Sequence, residues 1–101
     1  MSAKPVPPLP VELRARMERT CRDALGRYGA TSQMNVLVEE CAELIVSISH
    51  MRRKRATLEQ VASEIADVII MSEQARQLMS GLVEAHIIAK LDRLAKRLEA
   101  E

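Results

Sequence analysis

Phenylalanine and tryptophan are missing from this chain, and Tyr28 is its only aromatic residue. Its core must therefore be built from Leu, Ile, Val, Met and Ala, a composition that favours packed helices. Net charge is nearly absent too, with 15 basic residues against 14 acidic ones. No global field then selects nucleic acid or an anionic membrane as a partner, so any electrostatic function must be local. No apolar run approaches the roughly 20 residues that a membrane span needs. The lead from Met1 to Pro10 carries Pro5, Pro7, Pro8 and Pro10 and lacks the continuous apolar stretch of a secretory signal. With only two cysteines, and Cys41 on an apolar helical stripe as a small buried hydrophobe, no disulfide framework is expected. A reducing, cytoplasmic location is the corresponding expectation.

The chain does have helical periodicity. At 101 residues, 48% hydrophobic and 29% charged, it has the make-up of one soluble domain. An extended Pro-rich segment is expected over residues 1–9 and a single all-α domain over 10–101. Pro10 suits the first turn of a helix, where a missing N–H costs nothing. From Val11, the residues Leu13, Met17, Cys21, Ala24 and Tyr28 recur at spacings of three and four. Gly26 and Gly29 weaken the end of that helix. Thr31 or Ser32 is the expected cap of a second helix, with its stripe at Met34, Leu37, Cys41, Leu44, Ile45 and Ile48. That helix ends in the basic cluster Arg52–Arg55, where cations complement the backbone dipole.

Thr57 followed by Gln60 has the form of a capping box, and Leu58, Val61, Ala62, Ile65, Ile69 and Ser72 trace the inner face of a third helix. Ser80-Gly81 breaks the pattern. Leu82 to about Leu98 resumes it, with Ile87, Leu91, Leu94 and Leu98 expected inward and Lys90, Arg93 and Arg97 along another side. Four helices with short connections predict a four-helix bundle-like protomer. One copy of so short a chain makes a marginal core, and Val36, Val46, Ile70 and Met71 lie off the main stripes, so assembly into a dimer or larger oligomer is expected.

Two acidic motifs fall on the middle helices, Glu39-Glu40-x-x-Glu43 and Glu64-x-x-Asp67. Residues three or four apart share a helix face, so Glu40 and Glu43 project side by side, with Glu39 stacked one turn from Glu43. At about 100° per residue, Glu40 and Glu43 lie roughly 100° and 160° from the centre of the second helix's stripe, and Glu64 and Asp67 lie at about the same angles on the third. Antiparallel neighbours with matched offsets turn both pairs into one cleft. Carboxylates that close repel unless protonated or bridged by a cation, and an all-oxygen set suits Mg²⁺ or Mn²⁺. Mg²⁺ binds through carboxylates plus substrate phosphates, which directs attention to a nucleotide polyphosphate. A spare carboxylate such as Glu39 is placed to orient or deprotonate a water. Taken singly, each motif is also an ordinary solvated helix face.

At these residues the sequence resembles the MazG-like all-alpha nucleoside triphosphate pyrophosphohydrolase superfamily, whose signature is Glu-Glu-x-x-Glu followed by Glu-x-x-Asp on the next helix. The match covers Val38 to Leu44 and Glu64 to Val68, with twenty residues between Glu43 and Glu64, within a similarity running from about Gln33 to Arg97. The resemblance implies a helical dimer or tetramer that uses Mg²⁺ to cleave the bond between the α and β phosphates, giving a nucleoside monophosphate and pyrophosphate. It makes Glu40, Glu43, Glu64 and Asp67 metal ligands and Glu39 an added ligand or water-activating group. Family members often carry Lys-x-x-x-Asn-x-x-Arg on the last helix; here Lys90 and Arg97 match as phosphate contacts, with Arg93 beside them, but Leu94 replaces the Asn. Tyr28 is the available stacking group for a base, and Gln33 and Asn35 are candidate hydrogen-bonding partners for one. His50 and His86 are isolated from the acidic motifs in spacing and read as surface or boundary residues rather than ligands. The competing function is a non-catalytic helical interaction module that presents Arg52–Arg55 to an acidic partner or nucleic acid.

Overall fold

A computed structural model describes residues 6–101 of the chain. Four helices account for nearly all of it: α1 (Val11–Tyr28), α2 (Ala30–Arg52), α3 (Leu58–Leu78) and α4 (Leu82–Ala100). No strand occurs among the described residues, and the all-α expectation holds. No helix is long and apolar enough to cross a membrane. Of the expected Pro-rich lead, residues 1–5 lie outside the described residues, and residues 6–10 have no regular secondary structure.

The junctions follow from local chemistry, with one departure from expectation. Pro10 sits just before the first helical residue, where its carbonyl accepts the Arg14 N–H at 3.0 Å. Between α1 and α2 there is one residue, Gly29, at φ 87°. Its N–H closes α1 on the Leu25 carbonyl and its own carbonyl opens α2 by accepting the Gln33 N–H at 3.1 Å. Neither Thr31 nor Ser32 is therefore the cap. A glycine that tolerates positive φ joins the helices in a single step, leaving both hydroxyl residues inside the first turn. The capping box of α3 forms as expected: the Thr57 hydroxyl accepts the Gln60 N–H at 3.2 Å, and the Gln60 side chain accepts the Thr57 N–H at 2.7 Å.

Packing is most extensive between α2 and α3, and α1 lies mainly against α3. The buried apolar residues are few: Cys21, Val61, Met71 and Ala75. Two polar ties fix α1. The Cys21 thiol donates to the Ile70 carbonyl at 3.4 Å, and the Gln77 amide donates to the Glu18 carbonyl at 2.9 Å.

The last helix departs further from the sequence reading. Leaving the Ser80–Gly81 turn, where Gly81 adopts φ 85°, α4 buries no residue. Leu91 and Leu98, expected inward, are about 60% exposed, and Ile87 and Leu94 are exposed as well. Among the described residues, α4 forms no extensive packing with α1, α2 or α3. A radius of gyration of 16.0 Å, against roughly 13 Å for a compact chain of this length, records the same divergence. The periodicity of α4 correctly marks an apolar face. It does not say which molecule covers that face.

Candidate metal centre and adjoining cleft

The α2–α3 loop is short, residues 53–57, so the two helices run back antiparallel and set one register along their seam. Glu43 lies across from Glu64, and Glu40 across from Asp67, close enough for Glu64 to feel the charge of Glu43 and Glu40 that of Asp67. One carboxylate oxygen from each of Glu40, Glu43 and Glu64 lies within 4.8 Å of the others. Continued along the helices, the same register brings Gln33 level with Gln74, and both are buried.

Electrostatics inside this cluster are unfavourable. Partial burial, then repulsion from Glu43, Asp67 and Glu64, raises the pKa of Glu40 above the ordinary carboxylate value. Partial burial, then Glu43 and Asp67, does the same to Glu64. The Oε2 atoms of Glu40 and Glu64 are shielded from solvent and have no hydrogen-bond partner. Such an atom is costly unless something electropositive meets it. No lysine or arginine forms an ion pair with these carboxylates among the described residues. Oxygen-only donors, crowded and mutually repelling, fit a hard divalent cation.

Beside the cluster, an open cleft of about 510 Å³ runs along the α2–α3 seam toward their loop. Glu43 and Glu64 line one part of it, and His50, Arg55 and Gln60 line the rest, together with Ser47 and Ser63. No match to this chain is found among protein-family models, curated proteins or solved structures at a significant level.

The structure brings together only part of the site expected from the sequence. Glu40, Glu43 and Glu64 converge within 4.8 Å, and Asp67 lies beside Glu40 outside that trio. Glu39 lies outside the close trio, exposed on the neighbouring face. Gln33 is buried in the helical seam rather than presented to a ligand, and Asn35 is exposed at the far end of α2 from the cleft. Tyr28 is exposed at the end of α1, with the Arg27 guanidinium 5.9 Å from its ring centre. Lys90, Arg93 and Arg97 lie on α4, and none lines the cleft.

His50 is exposed, as expected of a surface residue, but its spacing does not isolate it from the acidic motif: it lines the same cleft as Glu43, two helical turns away on one face of α2. The seven-residue separation was a usable signal, because positions i, i+3 or i+4 and i+7 share a face. Arg55 was legible only as one member of a basic run. Its position depends on how α2 ends, which periodicity does not specify.

Proposed function

We propose that the chain is a Mg²⁺-dependent nucleoside triphosphate pyrophosphohydrolase, active with Mn²⁺ as well. The observation that carries this reading is the convergence of Glu40, Glu43 and Glu64 within 4.8 Å, two of them with shielded, unpartnered oxygens, beside a cleft of about 510 Å³. That volume falls in the range of small-molecule sites. Glu40, Glu43, Glu64 and Asp67 would hold the metal. Bound there, the ion supplies charge neutralisation on phosphate oxygens and acidifies water.

The chain's own residues then have defined tasks. Glu43 and Glu64, shared between cluster and cleft, would hold the metal where the cleft opens toward the phosphates. Glu39, exposed one turn from Glu43, is available to take a proton from the attacking water. Water adds across the α–β phosphoanhydride, a new P–O bond forms, and the bridging P–O bond breaks. A nucleoside monophosphate and pyrophosphate result, with the water's proton passing to the base and then to solvent.

The reading includes a homodimer or homotetramer, supported by the uncovered apolar face of α4. Lys90, Arg93 and Arg97 then reach phosphate across the contact between copies rather than within one chain. Two free thiols, Cys21 and Cys41, fit a reducing cytoplasmic setting.

Incubation with a panel of ribo- and deoxyribonucleoside triphosphates and phosphoribosyl-ATP, with Mg²⁺ or Mn²⁺, tests the proposal. Pyrophosphate release that disappears in Glu40→Ala and Asp67→Ala is expected. Absence of turnover with every nucleotide and both metals defeats it. The alternative, an interaction module working through Arg52–Arg55, rests on the exposure of Arg52 and Arg53 around Ser49 at the end of α2. It predicts binding to an acidic polymer that falls steeply with salt and ignores Mg²⁺.

A further inference from the structure

The cleft has two chemically opposite parts, and the backbone at the end of α2 explains how the cationic one is made. The Arg55 N–H donates to the His50 carbonyl at 2.7 Å, and the Lys54 N–H donates to the Met51 carbonyl at 2.9 Å. These are the paired bonds of a Schellman turn, with Lys54 in the left-handed position at φ 60° that glycine usually fills. The turn stops α2 and reverses the chain. Arg55 is thereby separated from Arg52 and Arg53, which lie with Ser49 at the outer end of the helix, and joins the lining of the cleft that contains Glu43 and Glu64.

We infer that Arg55 is the substrate-binding cation of this cleft, gripping the phosphates of the triphosphate that depart as pyrophosphate while Glu43 and Glu64 face the metal-bridged end. This inference rests on the proposed hydrolase reading and adds a binding residue to it. A guanidinium stays charged at any physiological pH and presents a planar fork that matches two phosphate oxygens at once. Ser47, Ser63 and Gln60, along the same cleft, supply neutral hydrogen bonds that suit phosphate oxygens without adding charge. The carboxylates cannot approach a polyanion without an intervening cation, so the anion's uncompensated end belongs near Arg55. The order along the seam is therefore acidic cluster, reacting phosphorus, leaving phosphates, Arg55.

Calorimetric titration of the full-length protein with inorganic tripolyphosphate, in the presence of Mn²⁺, tests the assignment without requiring turnover. Arg55→Ala is expected to weaken binding roughly ten- to hundredfold, Arg55→Lys to restore part of it, and Arg52→Ala to leave it unchanged. Equal affinity in wild type and Arg55→Ala, equal losses in Arg52→Ala and Arg55→Ala, or no tripolyphosphate binding by the wild type overturns the assignment. Steady-state kinetics on the preferred nucleotide separates the two levels of the claim. A higher KM in Arg55→Ala supports the assignment, and wild-type turnover with KM unaltered by Arg55→Ala overturns it while the hydrolase reading stands. Tripolyphosphate held through Arg55 with no nucleotide hydrolysed supports the assignment and defeats the hydrolase reading.

Discussion

Arg76 of α3 reaches Glu84 of α4 at 3.3 Å, the one side-chain ion pair between the last helix and the rest of the chain among the described residues. The same guanidinium grips Glu73 with two contacts of 2.8 Å, and Glu84 also accepts the Gly81 N–H at 3.1 Å. Hydrogen bonding to Arg76 holds Glu73 below the ordinary carboxylate pKa, and the Gly81 N–H does the same for Glu84. A lowered folded-state pKa contributes stability that is present above the usual carboxylate value and lost as pH falls through the lowered one. Arg76→Ala is therefore expected to speed amide hydrogen exchange in α4 selectively at pH 7. Acidification of the wild type through the Glu73 and Glu84 titrations should loosen α4 in the same way. Unchanged α4 exchange in both experiments contradicts this.

Glu40 and Glu64 have the opposite sign. Their pKa values are raised, so their ionisation costs the folded state stability, a cost absent well below the usual carboxylate pKa and complete above the raised values. Without divalent metal, Glu40→Gln should melt above the wild type at pH 7.5, and the difference should vanish at pH 4. Adding Mn²⁺ should raise the wild-type Tm and move Glu40→Gln much less, with a loss of at least about tenfold in Mn²⁺ affinity. Thermal melts at the two pH values, with and without Mn²⁺, check both halves.

Lys54 occupies a backbone conformation that costs a side-chain-bearing residue roughly 1–2 kcal/mol. Part of that returns as lost chain entropy when glycine is substituted, so Lys54→Gly should stabilise the protein by about 0.5–1 kcal/mol in urea unfolding. The Schellman turn survives the change. Tripolyphosphate affinity should therefore stay at the wild-type level, since Arg55 keeps its place.

The apolar face of α4 gives a prediction of mass. Leu91 and Leu98 are among its most exposed residues, and a charge at either position has no effect on the α2–α3 seam. Light scattering should show the wild type above monomer mass at micromolar concentration and Leu91→Asp/Leu98→Asp at monomer mass with helicity kept. A monomeric wild type removes self-association from the proposal.

The two thiols differ in access. Burial, then the charge of Glu73, pushes the Cys21 thiol up, and its hydrogen goes to the Ile70 carbonyl, whereas Cys41 is only partly covered on α2. A thiol reagent at pH 8 should label one site per chain rapidly, and Cys41→Ser should abolish that fast phase. Fast labelling that persists in Cys41→Ser contradicts the assignment.

Much of this architecture was legible in the residues because helical periodicity is local. The 3.6-residue repeat located four helices, the Thr57–Gln60 pair announced its own cap, and the spacing of the two acidic motifs brought Glu40, Glu43 and Glu64 together, with Asp67 beside Glu40, once the helices ran antiparallel. What escaped was set by single backbone torsions and by direction in space. Gly29 at φ 87° took the capping place expected of Thr31 or Ser32, and Lys54 at φ 60° sent Arg55 into the cleft. An apolar stripe need not meet its own chain: Ile45 on α2 and Leu58, Ile65 and Ile69 on α3, expected inward, are exposed, while Met71, off the expected stripe, is buried. Leu91 and Leu98 on α4 are exposed in the same way, and the candidate contacts Lys90, Arg93 and Arg97 lie away from the site with them.

The five residues between α2 and α3 also bear on how fast the chain folds. All three connections are short, but α2 and α3 share the most extensive packing in the chain, so this hairpin is the expected nucleus, formed before α1 docks. The repelling carboxylates sit in the middle of that nucleus rather than at its periphery. Their mutual repulsion is then already felt at the transition state, and Glu40→Gln should quicken refolding from urea more than it slows unfolding.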